Sequence, residues 1–226
     1  MRTAWSVLVL AGAAAFGAAQ ISAQQGATPP FEAGKHYTVL SPAQPTSTDP
    51  GKVEVAEVFM FSCPACFSFE PRIQAWLEQK ADYINFVRVP AQWANHPGSP
   101  IHARAYYTAE VLGKLEEITG PFFEEFHRNR NLLDTEEKLA AFFAKHGVDE
   151  AAFKSTFNSV GVNAKLKRAE ELERRYRVQS TPTVIVNGKY QTAGAMAGSY
   201  EAWFAIIDDL AAREHAAAAG GASSAQ

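Results

Sequence analysis

The sequence contains two cysteines, Cys63 and Cys66, and they stand two residues apart in the stretch 57–70, E-V-F-M-F-S-C-P-A-C-F-S-F-E. An apolar run, 53–61, leads straight into them. That run is β-branched and aromatic, whereas Pro64 is followed by Phe67, Phe69, Ile73, Ala75, Trp76 and Leu77. The text therefore reads as a strand, a sharp turn and a helix. Proline is favoured at the first helical position, where its missing N–H would have no partner anyway. Cys63 then falls at the helix N-terminus.

The free N–H groups and the positive end of the helix dipole favour a thiolate there, lowering the cysteine pKa from an ordinary value of roughly 8.5. A thiolate is both the species that attacks a disulfide and the better leaving group. Cys63 is expected to be the nucleophile. Cys66, one turn further into the helix and more shielded, is expected to be the resolving thiol. A zinc site would need two further ligands, yet the six histidines include no H-x-x-x-H pair. A purely structural disulfide would close too short a loop to stabilise much.

Alternation along 53–61 places Val53, Val55, Phe59 and Phe61 on one face together with Glu57. A carboxylate in such a row is costly unless paired or protonated. Either Glu57 reaches water at a strand end, or it is a buried acid of raised pKa that exchanges a proton with Cys66. Its place six residues before Cys63 favours the second.

Residues 1–23 carry Arg2, an apolar segment and small residues ending at Ala23, the pattern of a cleavable secretory signal. Cleavage is expected after Ala23, with Ala19 as the alternative. In an oxidising compartment a cysteine pair with no structural partners is a working pair. A net charge of −3 and a pI near 6.1 give no nucleic-acid signature. Apolar residues make up 47% of the chain, enough for a substantial core.

Segment 24–50 reads as a flexible start, an edge strand near 37–40 and a loop. Segment 83–89 reads as a strand and 90–100 as a loop, with Trp93 covering the core. The period then changes to that of helices. Ser99-Pro100 opens one helix and Pro121 another. Asp134-x-x-Glu137 has the form of a capping box, Asp149 caps a short helix, and 163–176 is a charged amphipathic helix. His102, His127 and His146 fall on these helices without ligand spacing and read as surface or capping residues. Strand text returns in V-Q-S-T-P-T-V-I-V-N, residues 178–187, and 183–193 reads as a hairpin. Pro182 stands directly before that strand, where a cis bond after Thr181 would fit. A final amphipathic helix is expected over 199–214. The expected organisation is a signal peptide (1–23), a split α/β domain (24–97 and 177–214), an inserted helical domain (98–176) and a disordered tail (215–226). This order of elements is that of a thioredoxin-like α/β fold with a helical insertion, which would bring Pro182 beside Cys63.

With these motifs in place, the chain resembles the DsbA family of periplasmic thiol:disulfide interchange proteins from about residue 34 to 210. The likeness is strongest in E-V-F-M-F-S-C-P-A-C-F-S-F-E and V-Q-S-T-P-T-V-I-V-N-G-K-Y. It implies that Cys63 attacks, Cys66 resolves, Glu57 is a buried acid modulating both, and Pro182 is a cis-proline that positions substrate with Thr181. It also implies a monomeric periplasmic enzyme with no cofactor beyond the Cys63–Cys66 disulfide. Expected partners are newly exported unfolded proteins with cysteines and a quinone-linked membrane oxidase of the DsbB type. The family commonly has C-P-H-C. Here Pro64 is kept and Ala65 replaces the histidine, which implies a less depressed Cys63 pKa and a weaker oxidant. The rival readings are a periplasmic reductase or isomerase, and a peptide-binding chaperone whose dithiol is secondary.

Overall fold

The computed structural model describes residues 31–96 and 98–223. The expected signal segment, with both candidate cleavage points, lies outside the described residues. The elements run β1 (Thr38–Val39), β2 (Val53–Phe59), α1 (Pro64–Leu77), β3 (Ile84–Pro90), α2 (Ser99–Val111), α3 (Leu115–His127), α4 (Glu136–Lys145), α5 (Glu150–Phe157) and α6 (Val160–Tyr176). Then follow β4 (Thr183–Val186), β5 (Tyr190–Ala193), α7 (Gly194–Ala197) and α8 (Tyr200–Ser223). The strands form one sheet in the order β1-β5-β4-β2-β3, with β2 and β3 parallel and the remaining pairs antiparallel. This is a thioredoxin-like α/β fold with five helices, α2 to α6, inserted between β3 and β4.

β2 is buried along its whole length because both faces of the sheet are covered. Val53 and Val55 pack with Phe69, Ile73 and Trp76 of α1 and Trp203, Ile206 and Ile207 of α8. Ala56 and Val58 belong to the core shared with the helical block. Phe59 and Phe61 also join that second core rather than the face of Val53 and Val55. The strand ends at Phe59, and the rings of Tyr106, Phe122 and Phe123 close over that end.

Several sequence expectations shift in detail. Pro121 lies inside α3 rather than opening it, because the helix already starts at Leu115 and Ile118 packs in the core. Thr135 caps α4 by accepting from the Lys138 N–H, while Asp134 pairs with the Lys138 ammonium at 2.6 Å. α6 begins before Asn163, at Val160, because Ser159 caps it. The segment after Glu214 continues α8 to Ser223, where a run of alanines favours helix although Ala216 to Ala219 bury nothing. His102 is not a surface residue. It is 2% exposed, ringed by Phe61, Phe122 and Phe126, with Nε2 2.8 Å from the Leu132 carbonyl.

The β4–β5 hairpin turns through Asn187 and Gly188, both at positive φ (50° and 64°). Such a pair matches the twist of the strands it joins. A Cβ on Gly188 would lie 2.0 Å from the carbonyl oxygen of Gln44, and the Gly188 carbonyl accepts from the Gln44 N–H at 2.8 Å. Gly188→Ala is therefore expected to cost about 2–4 kcal/mol of stability through backbone strain and a main-chain clash. Urea unfolding checks this, and a loss below about 1 kcal/mol would mean the loop at Gln44 yields freely.

Candidate active site

The parallel strands β2 and β3 end at one edge of the sheet, and the antiparallel β4 begins there. The α1 N-terminus and the chain leading into β4 consequently meet at that edge. Cys63 is the N-cap of α1 with extended backbone, and its sulfur accepts from the Cys66 N–H at 3.4 Å. Pro64 takes the first helical position, as its missing N–H allows. Pro64 and Ala65 are exposed, Cys63 is half-buried and Cys66 is 1% exposed. Both cysteines are free thiols. Thr181 is remote in sequence, yet the Cys63 thiol donates to its carbonyl oxygen at 3.3 Å. The Thr181–Pro182 peptide bond is cis.

The two sulfurs sit in opposite electrostatic settings. A hydrogen bond from the Cys66 thiol is the main influence holding the Cys63 pKa down to about 5. Burial opposes it, and the Thr181 side chain and the N–H groups of Cys66 and Ala65 reinforce it. Cys66 is pushed well up by burial first, then by its bond to Cys63 and by the charge of Glu57. One thiolate and one thiol is the arrangement that lets a pair exchange disulfides without two adjacent negative charges. The lowering needs no side chain at position 65.

Glu57 is 2% exposed and is raised above the ordinary carboxylate value by burial, against the pull of Arg88. Arg88 is the in-register neighbour of Glu57 on β3. Its Nε donates to Glu57 at 2.8 Å and its Nη2 to Glu70 of α1 at 2.6 Å. Two buried carboxylates thus share one cation, so the cluster is short of positive charge when both are ionised. Glu57 is buried beside the dithiol rather than reaching water. The sequence reading omitted Arg88 and the pairing role of Glu70. An arginine inside the apolar strand text I-N-F-V-R-V, needing a buried counter-charge, was the available signal.

His127, at the end of α3, stacks on Phe67 with 4.7 Å between ring centroids, and its Nε2 lies 2.7 Å from the Phe61 carbonyl. It ties the helical block to the turn that carries Cys63. On the other flank an apolar groove of about 460 Å³ runs past Ala65, Thr181 and Pro182 to Tyr200 and Trp203. Among the described residues there is no cluster of side chains suited to a metal ion.

Comparison with known proteins bears on this geometry. A family model of the DSBA-like thioredoxin domain matches residues 89–200. The thiol:disulfide interchange protein DsbA of Pseudomonas aeruginosa is 37% identical over 188 residues, covering 83% of this chain and 88% of that protein. That of Burkholderia cepacia is 34% identical over 212 residues, covering 93% of this chain and 96% of the relative. The crystal structure of Pseudomonas aeruginosa DsbA superposes with a TM-score of 0.78 at 37% identity, over 83% of this chain and 96% of that one. The oxidoreductase DsbA from Xylella fastidiosa gives 0.76 at 31% identity, over 84% of this chain and 100% of that one.

Proposed function

The chain belongs to the DsbA family, and from that premise we propose that it donates its Cys63–Cys66 disulfide to cysteine-containing proteins newly delivered to the periplasm. The observation that carries this direction of transfer is the placement of the Cys63 sulfur, which caps α1 and accepts from the Cys66 N–H at 3.4 Å, with its pKa held down to about 5, first by the Cys66 thiol. A sulfur that is stable as a thiolate leaves readily, and its stabilisation favours the reduced form of the pair, making the disulfide an oxidant.

In the forward step a substrate thiolate attacks the half-buried Cys63 sulfur of the disulfide. The S–S bond breaks, its electron pair passes to Cys66, and a substrate–Cys63 disulfide forms. Cys66 has a raised pKa and takes a proton as it leaves, and we assign its relay to Glu57, a buried acid whose charge acts on Cys66. A second substrate thiolate then attacks the substrate sulfur of the mixed disulfide and releases Cys63 as its thiolate. The substrate gains a disulfide and the enzyme is left as a dithiol. Thr181 and Pro182 border the attacked sulfur, so an extended substrate segment would lie along their backbone. The apolar groove beside them would hold its neighbouring residues. Reoxidation falls to a membrane partner of the DsbB type, which passes the electrons to quinone. No metal or organic cofactor enters, since the cysteine pair carries the electrons. Among the described residues no helix is long and apolar enough to cross a membrane. We place the mature protein in the periplasm and read it as a monomer.

Equilibration of the pair with glutathione tests the direction. A potential well above thioredoxin's value of roughly −270 mV supports a disulfide donor, and a potential at or below it supports the reductase. Ala65 is exposed at the second residue of α1, where a histidine would add a hydrogen-bond donor near the Cys63 thiolate. Ala65→His is expected to raise the potential by roughly 15–30 mV, the equivalent of one modest hydrogen bond in a two-electron couple. An unchanged potential would show that the backbone and Cys66 already saturate the thiolate.

A further inference from the structure

A second cleft reaches Val178 and Gln179, in the chain just before the Ser180, Thr181 and Pro182 that line the apolar groove. Its volume is about 680 Å³, and it lies between the loop after β3 (Gln92, Trp93, Asn95) and the end of α6 with the chain that follows (Glu170, Glu173, Gln179). Glu173 forms its floor. This residue is 7% exposed, and its Oε1 has no hydrogen-bond partner among the described residues. Its Oε2 receives a long bond of 3.4 Å from the Gln92 N–H, and the Trp93 side chain is the other donor that acts on the carboxyl. The Gln92 side chain is itself fixed, donating to the Leu166 carbonyl at 2.7 Å, so the two walls are tied together.

A buried carboxylate with an empty acceptor is costly unless something supplies a donor. The charge that acts on the Glu173 carboxyl is the negative one of Glu170, and burial with that neighbour holds its pKa up at about 7. Arg174 and Arg177 also border the cleft but are exposed, and among the described residues neither forms an ion pair with Glu170 or Glu173. The half-buried Trp93 lines the same opening. Two carboxyl groups without an ion-pair partner, one of them with an open acceptor oxygen, suit a cation.

We propose that this cleft is a substrate subsite that takes a lysine or arginine side chain lying two to four residues from the cysteine being oxidised. The inference rests on the disulfide-donor function above and specifies which substrate segments it favours. Position sets the register. The Thr181 carbonyl is 3.3 Å from the Cys63 sulfur, and Gln179, on the cleft wall, is two residues earlier in the chain. An extended peptide covers at most about 3.3–3.6 Å per residue, so a side chain in the cleft belongs to a residue within a few positions of the cysteine.

The test uses two-cysteine peptides with lysine, alanine or glutamate placed two, three or four residues to either side of one cysteine. They are oxidised by the mature protein, with glutathione disulfide as reoxidant. At the favoured position the lysine peptide is expected to exceed the alanine peptide in kcat/KM by about 3- to 10-fold, the scale of one partly exposed cation site. Glu173→Gln should bring that ratio close to one while leaving the potential of the Cys63–Cys66 pair at its wild-type value. Glu170→Gln, at an exposed position, should reduce the ratio partway and serves if the buried substitution fails to fold. Equal rates for lysine and alanine at every position, a preference for glutamate, or a ratio unmoved by both variants would overturn the proposal. Failure of the wild-type protein to oxidise even the alanine peptides would overturn the donor function itself, and this subsite with it.

Discussion

Cys63→Ser is expected to abolish disulfide transfer, lowering the rate by on the order of a thousandfold or more, since a serine hydroxyl neither carries the disulfide nor ionises at neutral pH. Cys66→Ser should behave differently. It leaves the Cys63 sulfur at the helix N-terminus but removes the thiol that resolves, so mixed disulfides on Cys63 accumulate and are visible by mass spectrometry. A holdase effect retained by Cys63→Ser would not rescue the enzyme reading, whereas disulfide transfer retained by it would end that reading. The same chemistry predicts a pH profile. In the reduced protein, alkylation of Cys63 should reach half its maximal rate near pH 5, while Cys66 stays unreactive across the neutral range. The Cys63 pKa is lower in the folded state than unfolded. Its contribution to the stability of the reduced form is therefore complete above the unfolded thiol value and is lost as pH falls toward about 5. An alkylation midpoint near the ordinary cysteine value would remove the leaving-group argument for an oxidant.

Arg88→Met is expected to produce the largest loss of stability among single substitutions around the site, about 3–5 kcal/mol at neutral pH. The thioether replaces much of the buried stem, but Glu57 and Glu70 lose the cation that pairs with both. The sign of the pH dependence follows from Glu57. Its folded pKa is raised, so the stability linked to its protonation is fully present below the unfolded carboxylate value and is lost as pH rises through the raised one. Arg88 lowers that pKa, and removing it moves the carboxyl further up. The variant should accordingly lose more at pH 7.5 than at pH 5. Urea unfolding at the two values checks this, with Glu57→Gln as the partner measurement. Glutamine keeps an acceptor for Arg88 and relieves the excess negative charge, so it should cost little stability. If Glu57 relays the Cys66 proton, the same substitution slows disulfide exchange at neutral pH. A pH-independent loss in Arg88→Met would contradict the shared-charge description, and an unaltered exchange rate in Glu57→Gln would leave Glu57 a purely structural acid.

What was legible in the sequence is uneven, for physical reasons that differ from one residue to the next. Local signals with a mechanism translated directly. Pro64 at the first helical position and Asp149 as a cap each act within a few residues, and each helix begins where they stand, while the 183–193 hairpin forms with its turn at Asn187-Gly188. Signals that compete within a few residues were less decisive. Pro121 suits a helix start, but the apolar side chains before it gain more by continuing the helix backward into the core. His102 was misplaced because helical spacing does not reveal which face meets another element. Its surroundings come from two other parts of the chain, Phe61 from the turn after β2 and Phe122 and Phe126 from α3.

By itself the sequence determined the dithiol, its helix-capping position, the change of period that sets the inserted helices apart, and the strand that resumes directly after Pro182. All of these depend on contacts between residues near in sequence, where spacing alone specifies geometry. The tertiary structure alone decided what surrounds the sulfurs. It set Thr181 against Cys63 across a sequence separation of 118 and placed Arg88 in register with Glu57 from the neighbouring strand. It also closed the cleft over Glu173 with a loop from the other side of the inserted helices. Charge, burial and reach between distant segments arise only when strand order brings them to one edge. The chemistry of a cysteine pair can therefore be read from its text, while its pKa values and the neighbours that tune them belong to the fold.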